Sequence, residues 1–490
     1  MSKSLSAEHE QLGRLATEII AGYAATLETR PLLSAATPNE MAGWFNEPLP
    51  QTGTDAAELF ARFRDQIAPH SMSVGSPNYF GQFNPTPLAI GVWADALASA
   101  LNQNGAIWRN SPVASVIEDR VLRWLCELIG YAPTAYGTLT SGGSEANLVA
   151  LKCARDRVYS QAKDAGLRGA AGDLIVYASD QCHYSFIKSV DILGLGRDNL
   201  RRLPTDNNFH LRADLLREAI AEDKRQGNIP CAIAGAAGAT STGVIDPLDE
   251  LADIAAETNC WFHVDAAYGG ALAFSDKYKE RLRGIERADS VTLDPHKWMF
   301  VPFACGATLV REGASVLREA FDFTPEYLTE KRDYTGGAEQ DYDMFRYGQL
   351  GTRRFMALKL WLALKHLGKP GYAEIIERQV GLVEYLAQLL DASPDFARLG
   401  LVETAVICFR YLPGDAKTWD GPSQDDLQQK LQQRVEQSGA AFFASTILHG
   451  RRALRINVNS FLTERRHIAD LFRLIRRAGA DAISRYASLA

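Results

Sequence analysis

Three short runs carry side chains that could do chemistry together. The first, Ser141-Gly142-Gly143-Ser144-Glu145-Ala146-Asn147, follows Tyr136–Thr140 and opens a helical pattern. Glycine lets the backbone approach a ligand closely, and serine with the free N–H groups of a helix start offers donors to an anion. The spacing is neither that of a Walker A loop nor a full Gly-x-Gly-x-x-Gly, and the same run could simply cap a helix. The second is Asp265, between Trp261–Val264 and the small residues Ala266 and Ala267. A carboxylate there can hold the protonated nitrogen of a flat ring, although a capping or turn aspartate has the same look. The third is Asp294-Pro295-His296-Lys297-Trp298, after Ser290–Leu293. A lysine near other cations or in poor solvent has a lowered pKa, which frees its amine to form a Schiff base. Most lysines, by contrast, are solvated surface groups.

Taken together the three runs say more. An anion cradle, a carboxylate and a lysine follow one another in chain order, each after a strand-like run. Asp265 and Lys297 are 32 residues apart, about the span of one strand–helix–strand unit. Phosphate, pyridinium nitrogen and aldehyde carbon are the three handles of pyridoxal 5'-phosphate, and each has a matching group here. That cofactor acts as an electron sink, which an aspartate on the ring nitrogen deepens.

The elements that must position these residues can be read from periodicity. Strand-like runs at 174–177, 231–234, 261–264 and 290–293 alternate with helical patterns at 183–193, 211–225 and 247–258. Short continuous apolar strands between helices predict an α/β fold with a mostly parallel sheet covered on both faces, whose ligands lie beyond the strand carboxyl ends. Further helices are expected at 88–103, 112–129, 144–166 and 353–367. Residues 1–85 read as an N-terminal helical arm, suited to clasping a second subunit, and 86–370 as the large cofactor-binding domain. Gly368-Lys369-Pro370-Gly371 marks a boundary, after which 371–490 read as a smaller α+β domain.

Composition is in keeping with an ordinary globular enzyme. The 490 residues are 46% hydrophobic and 23% charged, with a net charge of -7 and no basic block, which argues against nucleic-acid binding. The start of the chain lacks the apolar stretch of a signal peptide, and no run is long enough for a membrane span, so a cytoplasmic location is expected. The seven cysteines form no Cys-x-x-Cys pair and read as free thiols, and no cluster has metal-ligand spacing.

From about Pro77 onward the sequence resembles the group II pyridoxal-phosphate-dependent amino-acid decarboxylases, relatives of aromatic-L-amino-acid and glutamate decarboxylases. The resemblance is carried by Ser141–Asn147, Ser179-Asp180-Gln181-Cys182-His183, Thr240-Ser241-Thr242-Gly243, His263–Tyr268, Pro295–Trp298, Thr324-Pro325-Glu326-Tyr327-Leu328 and Gly351–Phe355. It implies the type I fold of pyridoxal-phosphate enzymes (aspartate-aminotransferase-like) and a homodimer with the active site near the subunit boundary. It implies that Lys297 holds the cofactor, Asp265 meets the ring nitrogen and Ala267 lies against the ring. His183 would stack on the opposite face, Thr240 would lie near the ring, and Gly143, Ser144 and His296 would bind the phosphate. Tyr327 would return a proton to the substrate carbon, and Arg455 is similar to an arginine that meets the substrate carboxylate in the glutamate branch. The animal aromatic enzymes typically have Asn where this chain has Asp294. A carboxylate beside a phosphate is repulsive, so Asp294 is expected to turn away or to be held by backbone donors.

The side chain accepted is the open question. Gln82, Phe83, Asn84 and Ala106 are expected at the pocket wall. Ala106 leaves room for a large ring, whereas Gln82 and Asn84 could hydrogen-bond a polar group. The expected reaction is decarboxylation of an aromatic L-amino acid to its amine and CO2. Acidic or other polar substrates are the alternative, followed by an aromatic aldehyde synthase, in which the loop tyrosine is typically Phe. An aminotransferase of the same fold fits the His-Lys-Trp and Thr-Pro-Glu-Tyr segments less well.

Overall fold

The apolar runs of the sequence become strands with both faces covered. The computed structural model describes residues 5–323, 326 and 342–487. Its strands are β1 (Tyr79–Phe80), β2 (Tyr136–Thr140), β3 (Leu174–Ser179), β4 (Leu200–Leu203), β5 (Ile229–Ala236), β6 (Trp261–Asp265), β7 (Ser290–Leu293), β8 (Gly306–Val310), β9 (Phe396–Leu399), β10 (Val406–Tyr411), β11 (Phe442–Leu448) and β12 (Arg451–Asn457).

The chain divides into two compact units. One comprises Phe83–Ala387 and Arg398–Cys408, the other Met1–Gln82, Gln388–Ala397 and Phe409–Ala490. The larger unit holds a seven-stranded sheet in the order β2-β8-β7-β6-β5-β3-β4. Its pairs from β4 through β7 are parallel, while β8 is antiparallel to both β7 and β2. This is the mostly parallel α/β sheet of the type I fold. Every residue of β2, β3, β7 and β8 is buried, which explains why these strands read as unbroken rather than alternating apolar runs. Since β2 and β7 are both antiparallel to β8, they share a direction. The carboxyl ends of β2, β3, β5, β6 and β7 therefore lie along one edge, where an open α/β sheet binds ligands.

Helices Ala89–Leu101, Pro112–Leu128, Ala213–Arg225 and Leu248–Thr258 match the expected spans within a few residues. The helix expected over 144–166 stops at Val158, and a single turn at Ala162–Ala165 follows. Strands β4 and β8 were not expected: both are short, and β8 takes its direction from neighbours remote in sequence. At the expected boundary the long helix Ala357–Asp391 is kinked, with Gly368 at φ 61° and Pro370 two residues on.

In the other unit, β1 runs parallel to β11 in the sheet β1-β11-β12-β10-β9. That pairing ties the end of the N-terminal arm to the C-terminal strands. The helix Leu5–Ala25 has no buried residue. No helix among the described residues is long and apolar enough to cross a membrane.

Candidate active site

Strand ends build a cavity of about 380 Å³ in the larger unit. It is lined by Gly143, Ser144, His183, Thr240, Asp265, Ala267, His296 and Lys297, among others. Segments from five strand ends are thus brought together: Ser141–Ser144 after β2, His183 after β3, Thr240 after β5, Asp265 and Ala267 at β6, and His296 and Lys297 after β7.

The glycines of the cradle are needed for close approach. A Cβ on Gly143 would lie 2.8 Å from Asp294 Oδ2, and one on Gly306 would lie 2.6 Å from Gly142 Cα. The helix beginning at Gly143 has no side-chain cap of its own at Gly142, so its first N–H groups can serve an anion. Just upstream, the Glu145 carboxylate accepts from both the N–H and the hydroxyl of Ser141, each at 2.7 Å.

Lys297 sits in the turn after β7 with its ammonium 2.9 Å from Asp294 Oδ2. Burial by itself would lower the lysine pKa. The nearby carboxylates Asp294 and Asp265 outweigh it and hold the ammonium above its ordinary value. Asp294 therefore does not turn away, as repulsion from a phosphate suggested. It faces Lys297 and abuts Gly143, because the lysine cation offsets its burial. Across the turn, His296 Nδ1 accepts the N–H of Cys305 at 3.1 Å, which leaves the ring proton on Nε2. Burial and the Lys297 cation lower the His296 pKa, although Asp294 pulls the other way.

Asp265 is held from two sides. Its Oδ1 accepts the N–H of Ala267 at 3.1 Å, and its Oδ2 accepts from Asn147 Nδ2 at 2.9 Å. Asn147 also donates to Ser185 Oγ at 3.0 Å and accepts from Thr292 and from His263 Nε2, at 2.7 and 3.0 Å. All four of its hydrogen-bonding positions are used. Asn147 lies in the run quoted from the sequence, but its role was missed. The available signal was an asparagine one turn inside a helix, where the residue is disfavoured unless its side chain has work to do.

His263 is fully buried, and burial pushes its pKa down to about 4 against the opposing pull of Asp265. A folded value below the unfolded 6.5 means stability is intact above that pH and falls as the pH drops toward 4. Denaturant unfolding should thus show about 2 kcal/mol less stability at pH 5 than at pH 7 from this group. His263→Gln should shrink that difference. An equal drop in the variant would mean that other groups cause it.

The remaining expected residues fall in different places. Phe83 belongs to the larger unit, its ring 5.8 Å from Lys297 Nζ and 4.2 Å from the Tyr268 ring. Ala106 is buried, its N–H donating to Asn104 Oδ1 and its carbonyl accepting from Phe345 N–H. It is not among the cavity-lining residues. Gln82 and Arg455 belong to the other unit, where Arg455 Nη1 donates to the Gly81 carbonyl at 3.1 Å and Asn459 to that of Gln82. Tyr327 lies outside the described residues.

With this geometry in view, comparison with known proteins gives a consistent answer. Residues 38–412 match the pyridoxal-dependent decarboxylase conserved domain. An aromatic-L-amino-acid decarboxylase of Bacillus atrophaeus is 31% identical over 92% of this chain and 92% of its own. A phenylacetaldehyde synthase of Arabidopsis thaliana is also 31% identical, over 96% of each chain. The crystal structure of Oryza sativa TDC with PLP and tryptamine superposes with a TM-score of 0.91 at 29% identity, covering 98% of this chain and 99% of that one. The chain belongs to the pyridoxal-dependent decarboxylase family. It is a pyridoxal-phosphate-dependent amino-acid carboxy-lyase.

Proposed function

We propose that this enzyme converts an aromatic L-amino acid to its amine and CO2 in the cavity built around Lys297. The observation that carries the reading is the convergence of Lys297, Asp265, His183, Ala267 and the Gly142–Ser144 cradle on one cavity. These residues fit the cofactor: a cradle where added Cβ atoms would collide, a carboxylate held by two donors, and a lysine beside a small alanine. When bound, the cofactor supplies an electron sink for the bond that breaks. Lys297 would hold its aldehyde carbon, Asp265 its ring nitrogen, and Gly143, Ser144 and His296 its phosphate, with Thr240 nearby. Ala267 and His183 would bracket the ring. The site would orient the substrate so that its carboxylate bond stands across the ring plane, since orientation selects decarboxylation over transamination. Tyr327 would return a proton to the substrate carbon.

An aromatic side chain is favoured by the aromatic groups at the site, Tyr268 and Phe303 in the lining and Phe83 against Tyr268. Among the described lining residues, Lys297 is the only lysine or arginine, so the described cavity wall offers no second cation to an acidic side chain. The acidic alternative rests on Arg455 and Gln82. Relatives named for a decarboxylase and for an aldehyde synthase are equally similar in sequence, so the product must be measured. Purified enzyme should be given tryptophan, tyrosine, phenylalanine, Dopa, glutamate, aspartate and cysteine sulfinate, while CO2, amine, ammonia and hydrogen peroxide are followed. Equimolar CO2 and amine from an aromatic substrate is expected. Preference for an acidic substrate, or peroxide and ammonia in place of amine, would support the corresponding alternative.

The enzyme would act as a homodimer. Trp93, Leu97 and Leu101 lie four residues apart along one helix, with the two leucines each 57% exposed. Such an apolar stripe on one helix suits a second copy. Placing Glu at both Leu97 and Leu101 should weaken dimerisation roughly 100-fold, read by sedimentation. An unchanged dimer would assign the face another role.

A further inference from the structure

Asn147, Ser185 and His183 form a chain of hydrogen bonds whose donor and acceptor roles are set by a carboxylate at one end and a backbone N–H at the other. The Asp265 carboxylate can only accept, so Asn147 must turn its amide nitrogen toward it, at 2.9 Å. The amide oxygen then faces Thr292 and His263, both within 3.0 Å. The tautomer of His263 agrees. The Asn147 oxygen can only accept, so the His263 proton lies on Nε2, and the Ser290 hydroxyl, which accepts from Trp261 Nε1 at 2.7 Å, donates to His263 Nδ1.

The other amide hydrogen of Asn147 goes to Ser185 Oγ at 3.0 Å. Ser185 Oγ lies 2.9 Å from His183 Nδ1 as well. The Ser185 backbone N–H points at the same nitrogen, at 3.3 Å. A backbone N–H can only donate, so His183 Nδ1 carries a lone pair there, and the Ser185 hydroxyl is its second donor. The ring proton is confined to Nε2, the nitrogen left for the cavity that His183 lines.

We propose that Asn147 is a positioning residue that acts through Ser185 to lock His183 as the neutral Nε2–H imidazole, making His183 a hydrogen-bond donor to the bound amino acid rather than a base. Because Asn147 also donates to Asp265, one amide fixes the group meant for the cofactor ring and the group meant for the substrate. The surroundings agree in direction. Burial chiefly disfavours the His183 cation, Lys297 and Lys188 do so as well, and Asp265 and Asp294 oppose them. Tyr184, whose ring centroid is 4.2 Å from that of His183, adds no fixed charge. The inference rests on the proposed function only in taking His183 to face the substrate.

The test is an imidazole ¹H–¹⁵N correlation spectrum of [¹⁵N]histidine-labelled holoenzyme, with the His183 signals assigned from His183→Gln. The expected result is a neutral ring at pH 7 with its proton on Nε2. In Ser185→Ala, which removes only the hydroxyl donor, the His183 protonation midpoint should rise by about half to one pH unit. In Asn147→Leu, Ser185 Oγ becomes free to accept from a protonated Nδ1, and the rise should be at least as large. If Asn147→Leu does not fold, Ser185→Ala decides the matter. A wild-type ring protonated on Nδ1, or a midpoint unmoved in Ser185→Ala, would overturn the proposal. The spectra read the ring proton itself, so they answer whether or not any amino acid is decarboxylated. Failure of the functional reading would appear separately, as absence of CO2.

Discussion

Lys297→Ala is expected to lower decarboxylation by at least about 10⁴-fold, since the variant would lose the covalent hold on the cofactor proposed for this lysine. It should also lose stability. The Asp294 side chain is 1% exposed and the Lys297 ammonium lies 2.9 Å from it. Removing the lysine strands a buried carboxylate, and breaking such a pair costs about 3–5 kcal/mol when both partners are fully buried. Lys297 is one-fifth exposed, so the lower end of that range applies. The double variant Lys297→Ala with Asp294→Asn separates the two effects. Denaturant unfolding should show stability recovered, while CO2 release stays as low as in the single variant. Substantial turnover by Lys297→Ala would remove this lysine from the chemistry.

Asp265→Asn should be the next most damaging change, lowering kcat by roughly 10³-fold. Ala267 N–H and Asn147 Nδ2 both donate to the present carboxylate, so the neutral amide keeps one of these bonds through its oxygen and turns its NH2 toward the other donor. The fold should survive, with a loss of about 1–3 kcal/mol in denaturant unfolding from the one donor left unpaired. What the amide cannot do is keep a proton on a ring nitrogen by opposite charge, and that charge deepens the electron sink. Steady-state kcat on the best substrate, with cofactor binding followed by absorbance, checks this. A loss below about tenfold would show that ring-nitrogen protonation by Asp265 is dispensable.

How much of this was legible in the sequence depends on how locally each feature is determined. Asp265 ends a strand and the glycine cradle and Lys297 follow strands, so the rule that open sheets bind ligands at strand ends sufficed to collect them, while His183 came from the family resemblance. The antiparallel strand β8 was not legible, because its pairing with β2 and β7 is set by neighbours far away in the chain. Gly306, which makes room for Gly142, was hidden for the same reason. Asn147 escaped because its partners lie on three further segments: Ser185 after β3, Asp265 and His263 on β6, and Thr292 on β7. Asp294 was misjudged by weighing repulsion from a phosphate without its neighbouring lysine. Gln82 and Arg455, more than 370 residues apart in sequence, turn out to share one segment through the Gly81 carbonyl, a contact that no spacing rule predicts.

The central claim, that the cofactor is held by Lys297 in this cavity, can be read directly by reducing the purified enzyme with sodium borohydride and mapping its peptides by mass spectrometry. The account predicts one cofactor-sized addition per chain, on the peptide carrying Lys297, and none after the same treatment of Lys297→Ala. A label on another lysine, such as Lys188 or Lys359, would contradict it.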